Sequence, residues 1–207
     1  MKADLLNLVF PATCLACGKP PSPLCTNCIP EFSVQKSSDQ TFFAAAFNES
    51  FNKLLSALKD QNRTALIKPL AKGLRPCLQA AIHELKPDLL VCPPSSSKNF
   101  RKRGFNPAEL IFRNANLSNL PLSSKVLSMS REAGDQRGLG RAARLENLSQ
   151  LFVAKKRAGR ILLVDDVQTT GATLFEMRQA LEQAGAEVVG SCVLAKSLSN
   201  FQHSTTN

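Results

Sequence analysis

The sequence predicts an α/β fold in which a parallel sheet is flanked by helices, together with a small N-terminal metal-binding unit. Three observations support this prediction. Ile161 to Val164 is a continuous aliphatic run of the kind found in strands that are covered on both faces. Patterns typical of strands and helices alternate along the chain, as they do in doubly wound sheets. Two Cys-x2-Cys pairs lie near the N-terminus.

Hydrophobic periodicity and capping signals locate the elements of this fold. Asn106 and Pro107 predict the start of a helix, because Asn is a favoured N-cap and Pro a favoured first helical residue. The patterns predict strands at 41–47, 88–92, 125–130, 161–164 and 188–194, helices at 50–58, 66–82, 108–115 and 174–184, and a polar, basic loop at 95–105. We expect a zinc-binding knuckle at 1–40, an α/β domain at 41–196 and a disordered tail at 197–207.

Positive charge is concentrated in one segment of the chain. Lys and Arg outnumber Asp and Glu by 26 to 16, and the segment from Lys98 to Arg160 holds 14 of the basic residues but four of the acidic ones. The rest of the chain is neutral. Such a segment indicates a polyanionic partner, either a small polyphosphate or nucleic acid. The alternative is a solvated surface that keeps the protein dissolved.

The N-terminal segment and the hydropathy pattern favour a cytoplasmic protein. Asp4 and Asn7 interrupt the apolar residues that precede Cys14, and Pro11 ends them, so the run is shorter than the core of a usual secretory signal. No apolar run in the chain is long enough to span a bilayer. We therefore expect a cytoplasmic location and no membrane insertion.

The four N-terminal cysteines, Cys14, Cys17, Cys25 and Cys28, can surround one ion tetrahedrally, because each Cys-x2-Cys pair supplies two sulfurs from a tight turn. Two disulfides are one alternative, but a reducing compartment disfavours them. A redox Cys-x-x-Cys motif is another alternative, and it explains one pair and not two. The spacing favours a structural zinc site, since four cysteines leave no open coordination position.

The segment from Ile161 to Leu174, ILLVDDVQTTGATL, carries the most chemical information. A buried strand ends in Asp165 and Asp166, and a small hydroxyl-rich loop then opens a helix. The backbone N–H groups of that loop would converge at the helix N-terminus, where unpaired donors and the helix dipole favour a phosphate. The candidate phosphate-binding residues are Thr169, Thr170, Gly171, Ala172 and Thr173.

The two aspartates lie where the cis-diol of a ribose attached to that phosphate would reach them. Two adjacent carboxylates beside a buried strand are costly without partners, and this cost argues for a cation or sugar hydroxyls. The alternative is an ordinary strand-to-helix turn with a threonine cap and solvated aspartates.

This segment resembles the phosphoribosyl pyrophosphate (PRPP) motif of type I phosphoribosyltransferases. Arg103-Gly104-Phe105-Asn106, followed by Ala108-Glu109-Leu110, resembles a signature of ComF proteins, with Pro107 where Gln is usual. A second ComF pattern is matched by Gln136, Leu139, Arg144, Asn147 and Phe152. An N-terminal zinc knuckle is also typical of that family. The chain is identified as a member of the ComF family from Cys14 to about Leu194.

The resemblance implies a type I phosphoribosyltransferase fold with a site for PRPP and Mg²⁺. The 95–106 segment would bind pyrophosphate, with Arg103 and Lys102 as the first candidates for the contacts and Arg101 as the next. Residues 131–149 would form a flexible lid. Mg²⁺ would bridge pyrophosphate and ribose oxygens. Asp165 and Asp166 would be the catalytic residues, because they would stabilise a positive ribosyl ring as pyrophosphate leaves.

The family also implies a role in natural competence, in which the protein helps imported single-stranded DNA enter the cytoplasm beside other DNA-uptake proteins. A phosphoribosyltransferase that acts on a small acceptor is a second hypothesis. A module that binds PRPP without turnover is a third, because a fold and a site do not establish a reaction. No residue of the sequence identifies an acceptor.

Overall fold

The computed structural model describes residues 13–14, 16–19, 24–118, 120–130, 151–156 and 158–198. The expected lid at 131–149, most of the expected tail and the first 12 residues lie outside this part of the chain. In the described part, no helix is both long enough and apolar enough to cross a membrane.

The described residues form eight strands, five α-helices and one 3-10 turn. The strands are β1 Gln35–Lys36, β2 Thr41–Ala46, β3 Leu89–Val91, β4 Leu122–Ser123, β5 Leu127–Met129, β6 Phe152–Ala154, β7 Arg160–Gln168 and β8 Glu187–Lys196. The helices are α1 Glu49–Asp60, α2 Ile67–Leu85, α3 Ser97–Arg103, α4 Pro107–Ala115 and α5 Ala172–Gln183, and the 3-10 turn Thr64–Leu66 precedes α2.

Six of the strands form one sheet in the order β1-β2-β8-β7-β3-β4. Every neighbouring pair is parallel except β1 and β2, which form an antiparallel hairpin. The predicted central position of the Ile161–Val164 run is confirmed, because β7 lies between β8 and β3. β7 runs to Gln168, so Asp165 and Asp166 belong to the strand itself. The fold is therefore the predicted α/β architecture with a mostly parallel sheet.

Each face of the sheet has its own hydrophobic layer. Helices α1, α2 and α4 cover one face, where Leu54, Leu70 and Ile111 pack against the even-numbered residues of β7. Helix α5 and the two-stranded sheet β5-β6 cover the other face, where Met177 packs against odd-numbered residues such as Leu163. Strand alternation between two covered faces thus explains why residues 161–164 of β7 are all aliphatic.

The 95–105 segment is the main correction to the predicted elements. It contains a helix, α3, where a basic loop was expected. The Ser96 hydroxyl accepts a hydrogen bond from the Asn99 backbone N–H at 3.3 Å, and Gly104 ends the helix in the left-handed conformation with φ 76°. These caps, together with a segment free of Gly and Pro, allow one short helix to form despite the polar composition.

The predicted start of α4 is confirmed. The Asn106 side chain accepts a hydrogen bond from the Glu109 N–H at 3.3 Å, and Pro107 is the first helical residue. The Asn106 amide also donates to the Pro93 carbonyl at 2.8 Å. This residue therefore ties the end of α3 to the segment that follows β3.

The residues that follow the cysteine cluster pack directly on the main core. Phe32 lies against Gly73 of α2, where an added Cβ would be 2.3 Å from ring atoms. Ala16 and Leu24 pack against the same core. Strand β1 pairs with β2, so the sheet begins within the stretch assigned to the knuckle. The N-terminal unit thus shares its hydrophobic surface with the α/β domain.

Gly73→Ala is expected to destabilise the protein, although alanine favours a helix by about 1 kcal/mol over glycine. The added methyl group forces Phe32 out of its position, and overpacking of this kind costs about 1–3 kcal/mol. Melting temperature and the rate of proteolysis before residue 40 should report the change. The double variant Gly73→Ala/Phe32→Ala removes the clash, so it should be more stable than Phe32→Ala alone; a lower stability would contradict this account.

Candidate functional site

The candidate site is a cleft of about 330 Å³ at the carboxyl edge of the parallel sheet. Open α/β sheets bind ligands at this edge. The cleft lies between the ends of β3 and β7, the last turn of α1 and the junction of α3 with α4. It is lined by Lys59, Pro93, Pro94, Ser95, Arg103, Asn106, Pro107, Ala108, Asp165, Asp166, Val167, Thr169 and Thr173.

Two buried carboxylates form one wall of the cleft. Asp165 and Asp166 are each 8% exposed, and Asp165 Oδ1 accepts a hydrogen bond from the Asp166 backbone N–H at 2.8 Å. Lys59 Nζ lies 2.7 Å from Asp166 Oδ2. Burial, and after it the charge of Asp166, raise the pKa of Asp165 to about 8. Near neutral pH the ligand-free site therefore holds one ammonium and one proton against two carboxyl groups, and a cation or hydrogen-bond donors of a ligand could take the place of that proton.

A strand-to-helix loop forms the floor of the cleft. Gly171 is the N-cap of α5 and has a left-handed backbone with φ 80°. As a glycine it has no side chain that could accept a capping hydrogen bond. Thr170 Oγ1 accepts a weak hydrogen bond from Ala172 N–H at 3.4 Å. Thr169 and Thr173 line the cleft. The first N–H groups of a 12-residue helix therefore open beside the acidic wall, where the helix dipole favours an anion.

Basic side chains from α3 lie on the opposite side. Arg103 lines the cleft, and its side chain is 16% exposed. Its Nε is buried, with no hydrogen-bond partner among the described residues. Lys102 Nζ and Arg103 Nη2 lie 3.6 and 3.7 Å from Asp60 Oδ1. Arg101 is exposed and does not line the cleft.

The structure brings together residues that the sequence analysis predicted for catalysis, for phosphate binding and for pyrophosphate binding. Asp165, Asp166, Thr169, Thr173 and Arg103 line the same cleft. The other predicted site residues are not part of its lining; they are Arg101, Lys102, Thr170, Gly171 and Ala172. Thr170 and Gly171 line a second cavity of about 260 Å³ instead.

Sequence analysis missed Lys59, Asp60 and Asn106 as site residues. Lys59 and Asp60 end α1, whose amphipathic pattern indicates a surface helix and gives no sign that its last turn reaches β7. Asn106 was recognised as a helix cap, but its second hydrogen bond, to Pro93, depends on tertiary structure. The adjacent opposite charges of Lys59 and Asp60 at the end of α1 are the local feature that could have indicated their role in the site.

The four-cysteine cluster has the geometry of a metal centre. The four Sγ atoms of Cys14, Cys17, Cys25 and Cys28 all lie within 4.8 Å of one another. Cys17 and Cys25 have an Sγ–Sγ distance of 3.8 Å, which is the separation expected in a tetrahedron with Zn–S bonds of about 2.3 Å.

Backbone contacts shape this cluster. Gly18, with φ 76°, allows the chain to turn after the first pair, and its N–H donates to the Cys14 carbonyl at 2.7 Å. Burial alone would raise the pKa of Cys14, but hydrogen bonds from the backbone N–H groups of Cys25 and Cys17 lower it to about 6. Burial and the neighbouring thiols, by contrast, raise the pKa of Cys28 to about 12. The distances between the four sulfur atoms are therefore the observation that lets the cluster hold zinc.

Comparison with known proteins establishes the family. The family model of the phosphoribosyl transferase domain matches residues 57–205. Competence protein F of Haemophilus influenzae is 29% identical over 181 residues, which cover 83% of this chain and 78% of the relative. Competence protein ComFC of Streptococcus pneumoniae is 28% identical over 155 residues, which cover 72% of this chain and 65% of the relative. The chain belongs to the ComF family and contains a phosphoribosyltransferase domain.

The predicted membership of the ComF family is thus confirmed. Among solved structures, this ComF-family chain is similar to a purine phosphoribosyltransferase from Pyrococcus horikoshii Ot3, with 22% identity and a TM-score of 0.35. That match covers 67% of this chain and 76% of the other.

Proposed function

We propose that this ComF-family protein binds PRPP together with Mg²⁺ in the cleft at the carboxyl edge of the sheet. The observation that carries the proposal is the placement of three kinds of group around one cleft. A buried acidic pair, the N-terminus of α5 and a basic helix correspond to the diol, the 5′-phosphate and the pyrophosphate of that ligand.

In this proposal the 5′-phosphate lies over the backbone of residues 169–173, and the ribose hydroxyls donate hydrogen bonds to Asp165 and Asp166. Pyrophosphate lies against Arg103 and Lys102, with Arg101 nearby. The buried Arg103 Nε supports this assignment, because a buried donor without a partner is costly until it meets an acceptor. Mg²⁺ would supply charge neutralisation of the pyrophosphate oxygens.

A phosphoribosyl transfer is the reaction that such a site supports. The bond between the anomeric carbon and pyrophosphate breaks, and the electron pair leaves with pyrophosphate. A bond from the acceptor nucleophile to the same carbon forms, and the acceptor's proton is released. Asp165 and Asp166 lower the barrier by stabilising the positive charge that develops on the ribosyl ring. Their burial strengthens this interaction.

Titration calorimetry with PRPP in the presence and absence of Mg²⁺ tests the site. We expect 1:1 binding that requires Mg²⁺ and that is weaker in the Asp165→Asn/Asp166→Asn variant, which keeps the side-chain size and removes the charge. Glu49→Gln on α1 removes an exposed carboxylate away from the cleft, so it is the control and should bind as the parent does. Equal PRPP affinity in the parent and the double variant would refute the proposed site.

For the biological role, we propose that the protein acts in the cytoplasm and supports uptake of single-stranded DNA during natural competence, together with other DNA-uptake proteins. The names of two relatives, both competence proteins, and the basic segment from Lys98 to Arg160 support this role. A phosphoribosyltransferase that acts on a small acceptor is the second candidate, and the buried acidic pair favours it. A PRPP-binding module without turnover is the third.

Deletion of the gene, with DNA binding at the cell surface and DNA uptake scored separately, tests the role. We expect surface binding to persist and transformation to fall. Complementation with the Asp165→Asn/Asp166→Asn variant then shows whether the cleft is needed. Normal transformation in the deletion strain of a competent host would contradict the DNA-uptake role. The phosphoribosyltransferase and the PRPP-binding module would then remain as candidates, and the calorimetry tests the PRPP binding that both require.

We also propose that the cluster of Cys14, Cys17, Cys25 and Cys28 holds one structural zinc ion. Cys25→Ser is expected to reduce the zinc content from one ion per chain to near zero, because three thiolates do not complete the tetrahedron. Elemental analysis of protein prepared under reducing conditions measures this. Cys77→Ala, which changes a buried cysteine outside the cluster, should retain the ion. A parent protein without zinc would refute the assignment.

A further inference from the structure

The last turn of α1 carries two adjacent residues of opposite charge, and each contacts the part of the cleft that has the opposite sign. Lys59 Nζ lies 2.7 Å from Asp166 Oδ2 on the acidic wall. Asp60 Oδ1 lies 3.6 Å from Lys102 Nζ and 3.7 Å from Arg103 Nη2 on the basic side. A single helix end therefore neutralises both sides of the ligand-free cleft.

Lys59 places a positive charge beside the aspartates and Asp60 a negative charge beside α3. The cation and the pyrophosphate of the proposed ligand would have the same arrangement. A divalent cation would approach the aspartates, where the Lys59 ammonium now lies, and pyrophosphate would approach α3, where the Asp60 carboxylate now lies. We propose that Lys59 and Asp60 are specificity-determining residues that make the cleft select a magnesium–pyrophosphate complex over either the cation or the anion alone. This inference rests on the proposed function of the cleft.

The selection follows from what each ligand must displace. A free cation must replace Lys59 at Asp166, whose side chain is 11% exposed, so the ion pair that it breaks is only weakly screened by solvent. Free pyrophosphate must compete with Asp60 for Lys102 and Arg103. The complex brings both charges at once and compensates both lost contacts. Because Asp60 is 54% exposed, we expect its contribution to be the smaller of the two.

The position of α1 does not depend on this pair. The helix is anchored by buried apolar side chains, namely Phe51, Leu54, Leu55, Ala57 and Leu58. At its other end, Lys53 and Glu49 form an exposed ion pair at 2.8 Å that does not line the cleft. Substitutions at Lys53 and Glu49 therefore change the net charge of the same helix by the same amount and leave the cleft intact. They are matched controls for substitutions at Lys59 and Asp60.

The experiment measures three ligands with four variants. The ligands are Mn²⁺ alone, which is a hard cation that prefers oxygen ligands and is followed by electron paramagnetic resonance, metal-free pyrophosphate, and magnesium pyrophosphate. The variants are Lys59→Met, Asp60→Asn, and the controls Lys53→Met and Glu49→Gln.

Lys59→Met should bind Mn²⁺ about threefold to tenfold more tightly than Lys53→Met, and it should bind pyrophosphate less tightly. Asp60→Asn should bind metal-free pyrophosphate about twofold to fivefold more tightly than Glu49→Gln, with unchanged Mn²⁺ affinity. Lys59→Met should therefore discriminate less than the parent between the complex and the free cation, and Asp60→Asn should discriminate less between the complex and free pyrophosphate.

Two results separate this inference from the proposed function. If Lys59→Met and Lys53→Met have the same Mn²⁺ affinity, or Asp60→Asn and Glu49→Gln the same pyrophosphate affinity, the inference is wrong even when the parent binds PRPP. If the parent does not bind PRPP with Mg²⁺, the proposed function is wrong. A tighter Mn²⁺ complex of Lys59→Met would then show only that the Lys59 ammonium neutralises the acidic wall. That outcome also overturns the inference, since no magnesium–pyrophosphate complex would be selected.

Discussion

Gly171→Val is expected to abolish the binding of ribose 5-phosphate while the protein stays folded. Gly171 has φ 80°, a conformation that β-branched residues rarely adopt, and an added Cβ would lie 3.1 Å from Gln168 Nε2. The loop must therefore shift, and the N–H groups at the start of α5 would no longer converge on one point. We expect affinity to fall more than about tenfold, or about 1.4 kcal/mol, in calorimetry.

A second glycine provides the control for this substitution. Gly185 follows the other end of α5 and also has a left-handed backbone, with φ 94°. Gly185→Val should therefore introduce comparable backbone strain without changing the candidate phosphate site. Loss of sugar-phosphate binding in the Gly171 variant alone would support the site. Parent-like affinity in both variants would mean that the loop is only a structural strand-to-helix turn.

Asp165→Asn is expected to raise the melting temperature of the ligand-free protein at high pH while it weakens PRPP binding. The pKa of Asp165 is raised to about 8 in the folded protein, by burial and by Asp166, and is about 3.9 in an unfolded chain. The folded state therefore holds the proton more tightly, and its stability falls as the pH rises from about 4 through 8. Asparagine removes this titration and keeps an oxygen for the Asp166 N–H.

The measurement is the difference in melting temperature between variant and parent at several pH values without ligand. The difference should be near zero at about pH 4 and should grow to several degrees above pH 8, since about 1 kcal/mol corresponds to about 2–4 °C in a domain of this size. A constant difference across this range would show that Asp165 does not titrate as its burial implies.

Asp39→Asn should behave in the opposite way. Burial alone would raise the pKa of Asp39, but the Ser37 hydroxyl and the buried Lys196 ammonium lower it to about 2. This carboxylate therefore stabilises the folded state above the unfolded pKa of about 3.9, and the contribution is lost as the pH falls through about 2. The Asn variant should be less stable than the parent at neutral pH and equal to it in strong acid.

The features that sequence analysis predicted well depend on local patterns. β7 is aliphatic because both of its faces are covered, and α4 begins at an Asn-Pro pair whose capping role requires no distant contact. The acidic pair and the TTGAT loop are contiguous in sequence, so their juxtaposition follows from one strand-to-helix turn. These local features were sufficient to predict the fold class and five of the 13 residues that line the cleft.

The features that sequence analysis missed are of two kinds. Some depend on tertiary contacts, and one, the α3 helix, depends on capping residues that were given less weight than the polar composition. Lys196 is 157 residues from Asp39, and no pattern indicates that the buried ammonium and the half-exposed carboxylate form an ion pair. Lys59 of α1 likewise contacts Asp166 of β7, which is far from it in the sequence. The α3 helix was predicted as a loop because its polar, basic composition outweighed the Ser96 and Gly104 capping signals. Capping residues were the better guide there.

The strand order has a consequence for how the chain reaches its folded state. Among the strands that the structure describes, β2 pairs with the rest of the parallel sheet only through β8, which pairs with β2 on one side and with β7 on the other. About 140 residues separate β2 from β8, so the contact that closes the sheet has a large loop-closure cost. During synthesis the β1-β2 hairpin must therefore remain without its parallel neighbour until β8 has left the ribosome, and its buried edge would be the surface that a chaperone protects.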